Sequence, residues 1–487
     1  MLKKLVDRKV MFALLVICSA LLVGFIVKLN ALPMLYTSIL AGVLVLVDLA
    51  LFLLMKPSKK EGSKHIRERL TKIISLILSI SMVLGALYIY KGQTALEQIT
   101  GADSQVTRVS LFVLSDSEYE TVEDLEGKTI GYNELVDAEK MEMAVAALEK
   151  EVDAEFVTEV DFIKLATQLY DKEVDAVLVN EAYVGIIEEA YEYFIGDARI
   201  IWDYDIEEVV EDIRKEADVT KDCFTVYISG IDTRGPVSTV SRSDVNMLVT
   251  INPKTGQVLL TSIPRDYYVS IPAFGGAKDK LTHAANKGVS ASVETLEQLF
   301  DLEINYYARV NFTSLITMVD ALGGVDVYSD KTFVPWTNPN IVINKGMNHM
   351  NGEMALAFAR ERKTYQNGDN HRVQNQQAVL KAMIDKMISP AIITNYTDIL
   401  DSFAGCFETN MSSKEITSLL KMQLSEMKVW DIQSTQVNGS GSMQTGGYQC
   451  PNQVLWYMIP NMQSVEDARA LIEQMQNGET ISVQAAN

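Results

Sequence analysis

Two stretches place charge where a folded chain usually excludes it. In SIPRDYYV (262–269) an apolar, β-branched run, Val258 to Ile263, delivers Pro264, Arg265 and Asp266 side by side. In NGEMALAFARERKTYQNGDNHRVQNQQAVL (351–380), Arg360 and Arg362 close one amphipathic segment, and Arg372 and Gln376 stand one turn apart on the next. Arg242, Asp232 and Asp244 lie at the ends of other strand-like segments, and Lys280 sits in DKLTHA. Any one of these arginines, taken alone, is more often a solvated side chain or a cation that complements a helix dipole. Five of them at element ends, with three acids, shift the balance toward a site. Guanidinium forks bind phosphate in bidentate fashion, and paired carboxylates with open water positions suit Mg²⁺. His283 is a candidate base, although a lone His at a helix start is more often structural. The chain has no GxxxxGK[ST] loop and no HExxH, which leaves nucleotide and zinc-protease readings without support.

The elements that must position these residues are legible. FTVYISGIDTRG, DVNMLVTIN and QVLLTSIPRD read as three strands, and NPKTGQ joins the second to the third as a hairpin. With Pro253–Gly256 as its loop, Asn252 faces Gln257 and Asp244 comes opposite Arg265. Asp232, at the end of the first strand, reaches the same edge. Asn351 caps a helix whose apolar face is Met354, Ala355 and Phe358. Arg360 and Arg362 cannot share one helical face, so they converge only if that helix unwinds between them. Asp369 is the candidate cap of the following helix.

The first hundred residues concern location. Val10–Val27, Ala31–Met55 and Ile73–Tyr90 are apolar runs long enough to cross a hydrocarbon core of roughly 30 Å, with Asp48 the one charge inside them. Lysines and arginines crowd before the first run and between the second and third, which puts both in the cytoplasm and everything after Tyr90 outside. Asp48 is read as facing the other two helices. The formal net charge of −21 is local: residues 101–220 hold 33 acidic and 9 basic side chains. No large basic field exists, so nucleic acid is excluded as a partner. Within that acidic segment VSLFVL, KTIGYN, AEFVTE and DAVLVN read as strands, with amphipathic helices between them, a small α/β unit. TVEDLEGKTIGY and EVDAVLVNEAYV resemble stretches of solute-binding proteins, but only one lobe is present. Of the four cysteines, Cys18 lies in a span and Cys223 opens an apolar strand, which leaves Cys406–Cys450 as the expected bridge.

Taken together, GIDTR, SRSDVNMLVTINPKTGQVLLTSIPRD, DKLTHA, NFTSLITMVDALGGVDV, MNGEMALAFARER and GDNHRVQNQQ resemble the LytR–CpsA–Psr family over roughly 224–387. Three spans and an accessory domain make the chain similar to its CpsA-type, capsule-associated members. The resemblance implies an α/β protein of three parts: a membrane anchor (1–98), an acidic α/β accessory domain (99–220) and a catalytic α/β/α domain with a central mixed sheet between helical layers (221–487). It also implies a cell-membrane enzyme of a Gram-positive bacterium, multi-pass, with its catalytic domain extracellular. The implied activity is transfer of a glycopolymer from a polyprenyl-pyrophosphate lipid to peptidoglycan. Hydrolysis of that pyrophosphate and non-enzymatic regulation are the alternatives. Carried over by position, Asp232 and Asp244 would hold Mg²⁺. Arg242, Arg265, Lys280, Arg360, Arg362, Arg372 and Gln376 would bind phosphate, with Arg265 and Asp266 catalytic.

Overall fold

A computed structural model describes residues 7–30, 32–56, 64–100, 104–231, 233, 236–365, 368–389, 399 and 402–483. By internal contacts the chain divides into two units: residues 1–100, 386–404 and 412–429 in one, and 101–385, 405–411 and 430–487 in the other.

The first unit contains the apolar helices α1 (Arg8–Leu29), α2 (Met34–Leu54) and α3 (Lys64–Ile99). Each contains a segment long and apolar enough to cross a membrane. Asp48 on α2 is buried and accepts a hydrogen bond from Ser19 Oγ on α1 at 2.9 Å. Ser19 in turn approaches Met82 Sδ on α3 at 3.3 Å. The charge therefore faces its neighbouring helices, as a carboxylate in an apolar span must if it is to find a donor.

Among the described residues the second unit holds a five-stranded sheet, a six-stranded sheet and three two-stranded ones: β9 (Tyr268–Ser270) with β10 (Lys278–Lys280), β12 (Val325–Ser329) with β13 (Gly346–Met350), and β16 (Gly439–Gln444) with β17 (Leu455–Pro460). The acidic segment folds as β1 (Ser104–Leu114), β2 (Thr129–Asn133), α4 (Ala138–Leu148), β3 (Glu155–Glu159), α5 (Phe162–Tyr170), β4 (Ala176–Asn180), α6 (Val184–Ala190), α7 (Phe194–Asp197) and β5 (Ala198–Val209). The strand order is β3-β2-β4-β1-β5. The pairs β2–β3 and β2–β4 are parallel, and β1 runs antiparallel to β4 and β5. Helix α4 packs on one face against Val109, Leu111 and Ile130, and α5 packs on the other against Phe112, Val177 and Val179. The long edge strand β5 was not anticipated. Its charged, exposed outer positions hide a period-2 pattern within an acidic run.

The six-stranded sheet is built from β6 (Phe224–Ile231), β7 (Ser243–Asn252), β8 (Gln257–Ile263), β11 (Tyr306–Val310), β14 (Phe407–Thr409) and β15 (Asp431–Gln436), in the order β14-β11-β6-β7-β8-β15. It is mixed: β11 is parallel to β6 and β15 parallel to β8, while β6, β7 and β8 are antiparallel. The hairpin has the anticipated register, with Asn252 facing Gln257 and Asn246 facing Ile263. Asn252 Oδ1 accepts from Lys254 N and Thr255 N, and Gly256 takes the positive φ (70°) that closes the turn. Alternate residues of β7 and β8 point to opposite faces. Leu248, Leu259 and Ile263 meet helices α9 (Val289–Phe300) and α14 (Met462–Gln476), whereas Met247, Val249, Val258 and Leu260 meet α12 (Gly368–Met387). Each face of the sheet thus buries its apolar stripe under helix, which gives the three-layer α/β/α arrangement.

The expected disulfide is not formed: Cys406 and Cys450 both remain thiols. Cys450 is buried in a core shared with the acidic domain, and Cys406 immediately precedes edge strand β14, in another part of the fold. Burial pushes the Cys223 thiol up to about 12 and the Cys450 thiol higher still, so neither forms a reactive thiolate near neutral pH.

Candidate active site

Strand β8 is buried along its whole length, and Pro264 ends its ladder because it has no N–H to donate. The next three carbonyls are then fixed by backbone donors: Thr282 N to Arg265 O (2.9 Å), Met458 N to Asp266 O (2.8 Å) and Leu281 N to Tyr267 O (2.9 Å). The adjacent cation and anion are therefore held on a backbone that cannot drift.

Across the hairpin, Arg265 Nη1 donates to Asp244 Oδ2 at 2.7 Å, and Arg242 Nε lies 3.6 Å from Asp244 Oδ1. Burial by itself would raise the Asp244 carboxyl. The guanidinium groups of Arg265, Arg242 and Arg372 outweigh it and hold the carboxyl far below the usual carboxylate range. Asp266 Oδ2 is 3.4 Å from Arg265 Nε, and its Oδ1 is 3.5 Å from Lys280 Nζ. Asp266, Lys280 and Arg372 are all buried. Four cations and two acids from the sequence reading thus form one network at the strand ends. Such a cluster of guanidinium and ammonium groups, fixed in a partly desolvated setting, can bind a dianion and stabilise charge that moves onto a leaving phosphate.

Other predicted residues stand elsewhere. Helix α11 (Gly352–Arg360) is capped by Asn351, whose side chain accepts from Met354 N. It stops at Arg360, where Glu361 turns extended (φ −67°, ψ 125°). Arg360 then lies over the Phe312 ring at 4.3 Å, and Arg362 over the Trp336 ring at 5.5 Å. Among the described residues neither makes an ion pair with Asp244 or Asp266. Gln376 is half-buried on α12, while its neighbour Gln377 is buried and donates to Ser262 Oγ (2.9 Å) and Thr435 O (2.7 Å). Asp232 and the side chain of Asp369 lie outside the described residues. His283 is structural: its Nδ1 is 2.9 Å from Asp279 Oδ1, and both groups are buried.

Residues 203–464 match the LytR_cpsA_psr family. The chain belongs to that family. Residues 100–195 match a second, shorter pattern, NMT1/THI5 like. Polyisoprenyl-teichoic acid–peptidoglycan teichoic acid transferase TagT of Bacillus subtilis (strain 168) is 37% identical over 264 residues, 52% of this chain and 77% of that protein. TagU of Enterococcus faecalis (strain ATCC 700802 / V583) is 33% identical over 230 residues, 46% of this chain and 73% of that protein. A solved structure, TagT bound to LI-WTA, is 32% identical, covers 55% of this chain and 95% of its own, and superposes with a TM-score of 0.45.

The strand-end cluster of this LytR_cpsA_psr chain contains two residues that sequence reading missed. Glu188 and Glu189, on α6 of the acidic domain, approach Arg242 and Lys280. Nothing in VGIIEEAYE separates them from the other acids of that domain. Glu361 was missed as well. It is fully buried and accepts from Trp336 N (3.0 Å) and Thr364 N (2.9 Å), which stitches the segment after α11 to the loop that carries Trp336.

For the implied Mg²⁺, the described residues contain no group of three potential carboxylate, His or Cys ligands. The chemistry of the site still fits this ion. Among the described residues no hydrogen-bond donor reaches Asp244 Oδ1, which is buried, a hard anionic oxygen of the kind Mg²⁺ takes. Mg²⁺ characteristically uses one or two carboxylates and completes its shell with water and substrate phosphate.

Proposed function

We propose that this chain is a membrane-anchored transferase that moves a glycopolymer from a polyprenyl-pyrophosphate carrier onto peptidoglycan. The observation that carries this reading is the network of Arg265 with Asp244 and Asp266, fixed by three backbone hydrogen bonds at the end of β8. Arg242, Arg265, Lys280 and Arg372 would neutralise the pyrophosphate. A peptidoglycan hydroxyl then attacks the glycan-side phosphorus. The bond from that phosphorus to the bridging oxygen breaks, lipid monophosphate leaves, and the hydroxyl proton passes to a carboxylate, for which Asp266 is the candidate. The cations are fixed before reaction, so they stabilise the leaving phosphate without reorganisation, usually the largest single contribution to such catalysis. Asp244, with Asp232, would hold Mg²⁺ against the same phosphates, where the ion would supply further neutralisation. Three spans with the charge asymmetry of the flanking loops support an extracytoplasmic catalytic domain.

The test is to incubate the full-length protein in detergent with a lipid-pyrophosphoryl glycan, with and without peptidoglycan. Covalent glycan on peptidoglycan together with lipid monophosphate is the expected result. Phosphoglycan released into solution at the same rate whether or not peptidoglycan is present would make the chain a pyrophosphatase. No lipid turnover would refute both activities.

A further inference from the structure

The acidic domain reaches into the cation cluster, and the contact is specific in shape as well as charge. Glu188 Oε2 lies 3.7 Å from Arg242 Nη2, and Glu189 Oε1 lies 2.5 Å from Lys280 Nζ. Both carboxylates come from α6, whose second residue, Gly185, has no space for a side chain: a Cβ there would fall 2.1 Å from Arg242 Nη1. The guanidinium rests against helix backbone that only glycine leaves open.

The seam around this contact is continuous. Val240 N donates to Val106 O and Val106 N to Ser238 O, which bonds β1 to the segment just before Arg242. Val240, Cys450, Leu455 and Tyr457 share one apolar core with Tyr183, Val184, Ile186 and Ile187. Farther along, Lys287 pairs with Asp137, a buried carboxylate that also accepts from Asn180 and Tyr183. A junction fixed at so many points makes the placement of α6 a designed feature of the fold.

The charge balance indicates its use. With α6 in place, Arg242, Arg265, Lys280 and Arg372 face four carboxylates: Asp244, Asp266, Glu188 and Glu189. Among the described residues, the cluster without the two glutamates carries two positive charges in excess, the sign that a pyrophosphate dianion requires. We propose that Glu188 and Glu189 are an internal stand-in for the substrate's phosphates. They satisfy and orient Arg242 and Lys280 while the site is empty, and the incoming pyrophosphate displaces them. This inference rests on the reading of the cluster as a pyrophosphate site. Its consequence is that the acidic domain sets the affinity threshold for the lipid-linked donor, because the apparent affinity of a ligand that must displace an internal anion is scaled down to the fraction of molecules in which the site is open.

The experiment compares full-length wild type, Glu188→Gln, Glu189→Gln and the double variant in detergent, with a short-chain polyprenyl pyrophosphate as probe. Glutamine preserves the shape and removes the charge, so the seam stays intact. The double variant should bind the probe on the order of tenfold more tightly at low salt, the gain expected if the glutamates leave about a tenth of the molecules open. That gain should shrink as salt rises. Neutralising two exposed acids elsewhere in the same domain, Glu142→Gln on α4 with Glu149→Gln at its C-terminal cap, should leave the affinity unchanged. Equal tightening in this control, or no tightening in the double variant, overturns the proposal. So does loss of turnover without gain in affinity, which would place the glutamates in the chemistry. Arg265→Ala separates this failure from the deeper one: if it leaves probe binding unaltered, the pyrophosphate reading itself falls, whatever the glutamates do.

Discussion

Replacing Arg265 by alanine removes one cation from two acids at once. The 2.7 Å hydrogen bond to Asp244 and the 3.4 Å pair with Asp266 both disappear. Asp244 keeps Arg242 at 3.6 Å, and Asp266 keeps Lys280 at 3.5 Å, so neither carboxylate is stranded. A hydrogen bond to a charged group is worth about 1.5–3 kcal/mol, and the side chains at this one are about four-fifths buried, so roughly 2 kcal/mol is the expected loss of stability. At about 2–4 °C per kcal/mol for a domain of this size, Tm should fall by about 4–8 °C. Turnover should fall much further, by about 10²–10³, the usual cost of one preorganised transition-state donor. Arg265→Lys should recover part of the Tm, because an ammonium still pairs with Asp244. It should recover little of the rate, because the planar fork is gone. The assay is glycan transfer to peptidoglycan at saturating lipid donor, alongside a melting curve of the same full-length preparation. Near-normal turnover of Arg265→Ala with a lowered Tm would show that Arg265 is only a bracket between two strand ends.

Three further outcomes follow from the same geometry. Asp279 is buried and would be raised by that burial, but His283 and the donors Gln449 N and Lys280 N hold its carboxyl below the usual range. Its stabilisation is therefore complete above the unfolded value near 4 and is lost as pH falls through the lower folded value. Asp279→Asn should cost about 2 kcal/mol at pH 7, a gap in Tm that closes in acid; a gap independent of pH would contradict the charge-based account. Chelation of Mg²⁺ should suppress transfer by wild type, and Asp244→Ala should raise the Mg²⁺ concentration needed for half-maximal rate; an unchanged Mg²⁺ titration would remove Asp244 from the metal site. A reporter fused after Lys60 should be cytoplasmic and one after Gly101 external, and the reverse pattern would refute the proposed orientation.

The residues fixed by local rules were readable from the sequence alone. A two-fold side-chain period and an Asn-Pro-Lys-Thr-Gly turn determine the β7–β8 register, and that register brings Asp244 to Arg265 across the hairpin. The Asn351 cap and the helix end at Arg360 are equally local, as are the three long apolar helices. Tertiary structure decided what no local rule constrains. Arg360 and Arg362 leave an unwound helix end in directions set by Phe312 and Trp336. Cys406 and Cys450 are separated by packing, and counting cysteines carries no distance. Glu188 and Glu189 are two of 33 acids in their domain, and their partners, Arg242 just before β7 and Lys280 in DKLTHA, lie outside that domain. A charge pair between separate layers depends on how two folded surfaces meet, and the residue order within either surface does not encode that meeting.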